Sequence, residues 1–188
     1  MTFASRGGML AAAAVCATMA FGGTSVTLDG KWKLDYFPQP DDGAVRTLDI
    51  PEHKTVDATV PGTCELDLVA AGILPEPEIG LNIFKFRPYE GYEWLYTRTF
   101  SAPAFDAKSG ERAMLVFEGI DTLADIFLNG EKIGEAENML IPHKFDVTKR
   151  LKPGENIVQV LIRSLMLDAQ YRTIGVLGYC MDGGADGE

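Results

Sequence analysis

The stretch from Gly119 to Gly134 constrains this chain more than any other. It reads Gly-Ile-Asp-Thr-Leu-Ala-Asp-Ile-Phe-Leu-Asn-Gly-Glu-Lys-Ile-Gly. Asn129-Gly130 is a two-residue turn signal, because both residue types tolerate the positive φ that a type I′ hairpin turn demands. Before the turn, Ala124, Ile126 and Leu128 alternate with Leu123, Asp125 and Phe127, so the spacing predicts a strand with one apolar and one mixed face. Glu131-Lys132-Ile133 begins the return strand. Upstream, Met114-Leu115-Val116-Phe117 is an apolar run short enough for a buried strand. A chain built around such a hairpin needs further strands to cover its apolar face.

The rest of the sequence supplies them. Leu28, Gly30, Trp32 and Leu34 have opposite parity to Asp29, Lys31 and Lys33, which predicts a strand with Trp32 facing a core. Asp57 to Pro61 is a short extended piece. Trp94-Leu95-Tyr96-Thr97-Arg98-Thr99-Phe100 alternates at strand period, with Trp94, Tyr96, Arg98 and Phe100 on one side. Ile157 to Arg163 is the strongest strand pattern, with Val158, Val160 and Ile162 on one face. The clear helical signal is about two turns long: Thr63 as cap, Leu66, Val69 and Ala70 along one side, Gly72 as the stop. Pro75 to Gly80 cannot continue it. Short strands, closely spaced turns and little helix predict an all-β antiparallel sandwich.

Both ends differ from this body. Arg6, then the apolar run from Met9 to Phe21, then small residues from Gly22 to Ser25, read as a secretory signal peptide cut between Ala20 and Gly23. Residues 1–23 are thus expected to be a leader, 24–165 the sandwich, and 166–188 a glycine-rich loop. The apolar run is too short to span a membrane as a helix. Export to the periplasm or the extracellular space is the expected destination. Cleavage removes Cys16 and leaves Cys64 and Cys180, and nothing in the sequence places those two together. His53 and His143 show no ligand spacing with either cysteine, so no metal site is expected. The net charge is −10, which argues against a nucleic-acid partner. After Arg163 strand patterning fades, so a closing strand is expected to be missing.

The ordered set Leu28-x-Gly30-x-Trp32, Val60-Pro61-Gly62, Asp67-Leu68, Gly72-Ile73, Pro77, Gly80, Asn82, Trp94-x-Tyr96-x-Arg98-x-Phe100, Phe117-Glu118-Gly119-x-Asp121-Thr122-x-Ala124, Leu128-Asn129-Gly130 and Gly154-x-Asn156 resembles the N-terminal domain of glycoside hydrolase family 2. The match is to its β-mannosidase-like and β-galactosidase-like members. The resemblance implies a jelly-roll sandwich of the galactose-binding-domain type, followed in the parent enzyme by a catalytic (β/α)₈ barrel. Parents of this kind are retaining exo-β-glycosidases of carbohydrate metabolism that use two glutamates of the barrel and no cofactor. A barrel takes ~250 residues in strand–helix alternation, which this sequence lacks, so the fragment alone is expected to be inactive. Glu76 with Glu78, and Glu90 with Glu93, read as solvated loop acids.

The mannosidase-like members carry a Gly-Trp-Asp motif that contacts the sugar, and neither Trp32 nor Trp94 lies in one. Leu81 stands where those members commonly carry an acid. The implied partners are a glycoside or oligosaccharide and the barrel. Asn82, Tyr89, Glu90 and Tyr92 are the candidate carbohydrate-binding residues: amide and carboxylate can bond hydroxyls and rings can stack on a sugar. Covering the sandwich is the other role open to these tyrosines. Asp121, Asn129 and Gly130 read as turn residues. A free-standing carbohydrate-binding module and a protein-interaction sandwich without a sugar ligand are the alternatives.

Overall fold

The computed structural model describes residues 15–21, 24–104 and 106–170. Ten strands are described: β1 (Val15–Phe21), β2 (Thr24–Thr27), β3 (Gly30–Pro38), β4 (Lys54–Val60), β5 (Tyr92–Ser101), β6 (Ala113–Ile120), β7 (Ala124–Leu128), β8 (Glu131–Ala136), β9 (His143–Asp146) and β10 (Glu155–Ile162). They form a four-stranded sheet, β2-β1-β6-β9, and a six-stranded sheet, β4-β3-β5-β10-β7-β8. Every recorded pairing is antiparallel. The main core lies between the sheets: Leu34, Tyr96, Val160 and Ile126 from one meet Leu115 and Phe117 from the other. This is the expected antiparallel sandwich.

The hairpin expected at Asn129-Gly130 is present. Asn129 and Gly130 have φ of 54° and 86°, and β7 pairs with β8 across them. Asn129 does more than turn. Its amide donates to the Arg150 carbonyl and to Asn156 Oδ1, and its Oδ1 accepts the Ile157 N–H. The buried Asn156 in turn bonds Lys152 and Gly154, so two asparagines bind the hairpin to the start of β10.

Three expectations are corrected. First, both faces of β7 are buried, including Asp125 and Phe127, because residues 39–53 fold back over the outer face of the six-stranded sheet. Val45, Leu48 and Ile50 there cover Phe37, Leu95, Phe127 and Leu161. Second, the short helix α1 (Cys64–Ala70) is capped by Thr63 as expected, but it buries Cys64, Asp67 and Leu68. Leu66 is exposed, because positions 64, 67 and 68 share the buried face of the helix and position 66 falls on the other. Third, residues 165–170 are helical, not a glycine-rich loop. Leu165, Met166, Leu167, Ala169 and Gln170 are good helix formers, Ser164 Oγ accepts the Leu167 N–H as a cap, and the glycines begin only at Gly175. In the unprocessed chain Val15–Phe21, within the apolar run read as a leader, forms a strand paired with both β2 and β6. An apolar run that suits a leader also suits a sheet. Residues 1–14, the stretch 171–188 and Cys180 with it lie outside the described residues.

Candidate functional site

One end of the sandwich is built from irregular pieces. The chain leaves α1 and runs through two 3₁₀ turns, Asn82–Lys85 and Arg87–Tyr89. Pro88 in the second fixes φ and keeps that turn tight. The result buries Phe86 and brings Tyr89 over the first residues of β5. There Tyr36 of β3 lies opposite Trp94 of β5, and four rings gather. Tyr36 and Trp94 stack at 5.7 Å between centroids. Tyr89 and Tyr92 approach to 5.0 Å at 43°, and Tyr36 and Tyr92 to 6.1 Å. Such pairs add about 0.5–1.5 kcal/mol each beyond burial, so the rings form a fixed surface. Burial, reinforced by Tyr89 and Tyr92, pushes the pKa of Tyr36 up and keeps its phenol neutral.

Beside the rings lies a cavity of about 580 Å³, within the ~300–1,000 Å³ range of small-molecule sites. Tyr89, Glu90, Tyr92 and Trp94 line one side; Asp121, Thr122 and Ser164 line another. Three of the four candidate binding residues therefore meet here. Asn82 does not line the cavity. Its amide donates to the Glu76 carbonyl at 3.0 Å and organises the loop instead. The candidate acids divide as well. Glu90 is exposed at the cavity rim. Glu93 is not a solvated acid: it points to the opposite face of β5, is wholly buried, and accepts the Val45 N–H at 3.2 and 3.1 Å.

Asp121, read as a turn residue, lines the cavity with Thr122, whose hydroxyl donates to the Asp121 carboxylate. Ser164 Oγ donates to the Glu90 carbonyl at 2.6 Å, which binds the end of β10 to the start of β5. Behind it the buried Arg163 guanidinium lies 3.5 Å from Asp125 and 3.7 Å from Asp168. Lys132 reaches Asp125 at 2.6 Å from the other side. Sequence reasoning missed Glu65, Asp121, Thr122, Arg163 and Ser164 as lining residues. The available signal was Arg163-Ser164, polar residues directly following the strongest strand. Burial pushes Asp67, on the buried face of α1, to a pKa of about 6 against the opposing Thr59 N–H bond.

Neutral aromatic faces beside hydroxyl, carboxylate and amide-backbone groups suit a neutral, hydroxyl-rich ligand. The described residues hold no group of three or more His, Cys, Asp or Glu side chains that could hold a metal ion. Among them no helix is long and apolar enough to cross a membrane.

Residues 44–174 match the family model described as glycosyl hydrolase 2 galactose-binding domain-like. Beta-mannosidase B of Thermothelomyces thermophilus is 34% identical over 143 residues, 76% of this chain and 15% of that protein. Beta-mannosidase B of Aspergillus clavatus is 39% identical over 115 residues, 58% of this chain and 13% of that protein. The crystal structure of the beta-D-mannosidase from Dictyoglomus thermophilum superposes with a TM-score of 0.64 at 33% identity, covering 78% of this chain and 16% of that one. The chain thus spans about 15% of the length of the curated relatives it matches.

Proposed function

Since the chain belongs to glycoside hydrolase family 2 as its non-catalytic galactose-binding-like N-terminal domain, we propose that it serves an exported β-glycosidase acting on β-mannosides. In this reading the cavity beside Tyr89 and Tyr92 lies at the mouth of an active site whose two glutamates belong to a barrel elsewhere in the parent chain. The observation that carries the proposal is the fixed cluster of four rings, of which Tyr89, Tyr92 and Trp94 line a cavity edged by Glu90 and Asp121. The rings offer faces to the apolar side of a pyranose, and the carboxylates accept from its hydroxyls. The relatives carry this domain within much longer enzymes, which favours the parent-enzyme reading over a free-standing carbohydrate-binding module.

Steady-state kinetics of the full-length protein test this. Wild type is expected to hydrolyse 4-nitrophenyl β-mannoside in preference to the β-galactoside and β-glucuronide. Tyr89→Ala and Glu90→Ala are each expected to raise KM roughly tenfold, the loss of one to two hydrogen-bond or stacking contacts. Normal kinetics in both variants, or no β-mannoside hydrolysis by wild type, would sink the proposal.

Export is the second half of the reading. It rests on Arg6, the apolar run and the small residues that follow. Intact-mass measurement of secreted protein is expected to give a first residue between Phe21 and Thr24, and an exported product still carrying Met1 contradicts it.

A further inference from the structure

Residues 39–53, between β3 and β4, contain no helix or strand. Their ends are close, since Tyr36 is paired with Lys54. A loop of this length without regular structure is uncommon in a compact domain and is usually a binding loop when ordered. This one is held in place along its length. Gln39 N–H donates to the Gly91 carbonyl at 2.9 Å, and Gly43 N–H to that of Pro40 at 3.0 Å. Val45 N–H is held by Glu93, and Arg46 lies 3.8 Å from Glu135. Val45, Leu48 and Ile50 seat the middle of the loop on the sheet.

That anchorage sets the two ends of the loop against Tyr36 and Tyr92, around a second cavity of about 570 Å³. Pro40 and Pro51 give it apolar walls, and Gln39, Asp41, Glu52 and Lys54 give it hydrogen-bonding groups. His53 is fixed as part of the wall, its Nδ1 3.0 Å from the Pro51 carbonyl. Tyr92 lines both this cavity and the first, so the two share an aromatic wall. We infer that the 39–53 loop builds a second glycan subsite, continuous with the first across Tyr92, for a further sugar residue of a neutral oligosaccharide. The inference rests on the reading of the first cavity as a sugar site.

The chemistry selects the class. Asp41 and Glu52 accept from vicinal hydroxyls, Lys54 and the Gln39 amide donate, and the tyrosine and proline surfaces meet the apolar face of a ring. Two carboxylates against one ammonium disfavour an anionic sugar. A proline-rich peptide would use an aromatic groove, but would leave the carboxylates without partners.

The test uses the full-length protein, a sulfur-linked β-1,4-mannotriose that glycosidases do not cleave, and methyl β-mannoside, which fills one subsite. Calorimetric titration is expected to show Gln39→Ala/Glu52→Ala weakening the triose at least about fivefold, as the loss of one or two hydrogen bonds would, with methyl β-mannoside unaffected. Glu52 is exposed and Gln39 half-buried, so the double variant should fold. Triose affinity unchanged in the variant, with both sugars still bound, overturns the second subsite and leaves the first cavity standing. A wild type that binds neither sugar overturns both. Displacement of the triose by a proline-rich peptide that binds more tightly overturns the glycan assignment of this cavity.

Discussion

Glu93 lies between Tyr92 and Trp94 on β5, yet its carboxyl faces away from the rings and is wholly buried. Burial is the largest influence and pushes its pKa from 4.5 to about 7, against the Val45 N–H and Arg163. The folded state therefore holds more protons than the unfolded chain across that window, and stability falls as pH rises through it. Asp67 acts in the same direction, with a pKa raised to about 6. Asp57, Glu135 and Asp146 are shifted the other way by Lys33, Lys132 and Thr148. Their stabilisation is lost only below the ordinary carboxylate range and does not overlap. The melting temperature is thus expected to drop between about pH 5 and about pH 8. Glu93→Gln keeps an acceptor for Val45 and removes the charge. It should flatten most of the drop, a difference on the order of 2 kcal/mol at the alkaline end. An equal slope in wild type and variant would contradict this assignment.

At the scale of elements, β1 is where export and fold meet. The proposed cleavage between Ala20 and Gly23 removes most of β1, which is the recorded partner of β2 and one of the two neighbours of β6. Processing and the β1–β6 pairing cannot hold in one molecule, so a processed chain presents the β6 edge to some other strand. An unpaired edge with alternating apolar residues recruits other chains. A version of this chain beginning at Thr24 is therefore expected to self-associate on size-exclusion chromatography, while one retaining Val15–Phe21 elutes as a smaller species. Identical elution as monomers would show that β1 protects nothing. Gly134 of β8 shows a different constraint at this scale: a Cβ there would fall inside the Phe145 ring of β9, so a bare backbone lets the two sheets close.

At the scale of the molecule, the chain is a sandwich with two cavities that share Tyr92, and its 188 residues are fewer than the ~250 of a barrel of eight strand–helix units. The chain by itself is expected not to hydrolyse aryl β-mannosides. A chromogenic assay against a buffer control checks this. Turnover that disappears on changing Glu65 or Glu90, the glutamates lining the first cavity, would reverse the conclusion that catalysis resides elsewhere in the parent.

The sequence by itself determined the local pieces. Alternation marked β3, β5, β7 and β10, because a half-buried strand imposes a period of two on its residues. Asn129-Gly130 marked the hairpin, because few residue pairs accept positive φ twice, and Thr63 marked the start of α1. It also turned Trp32 toward a core and set Trp94, Tyr96 and Phe100 on one side of a strand, and all four are buried. The tertiary structure decided what lies against what. Nothing local to Glu93 or Asp125 says that residues 39–53 will fold over them, since that cover comes from a segment some 40 to 80 positions away. Glu90 and Glu93 have like chemistry and close spacing, yet one edges a cavity and the other is sealed beneath a loop. The same holds for Tyr92, Asp121 and Ser164. They share one cavity because three strand ends meet there, and such a meeting is set by sheet order, which hydrophobic period does not encode.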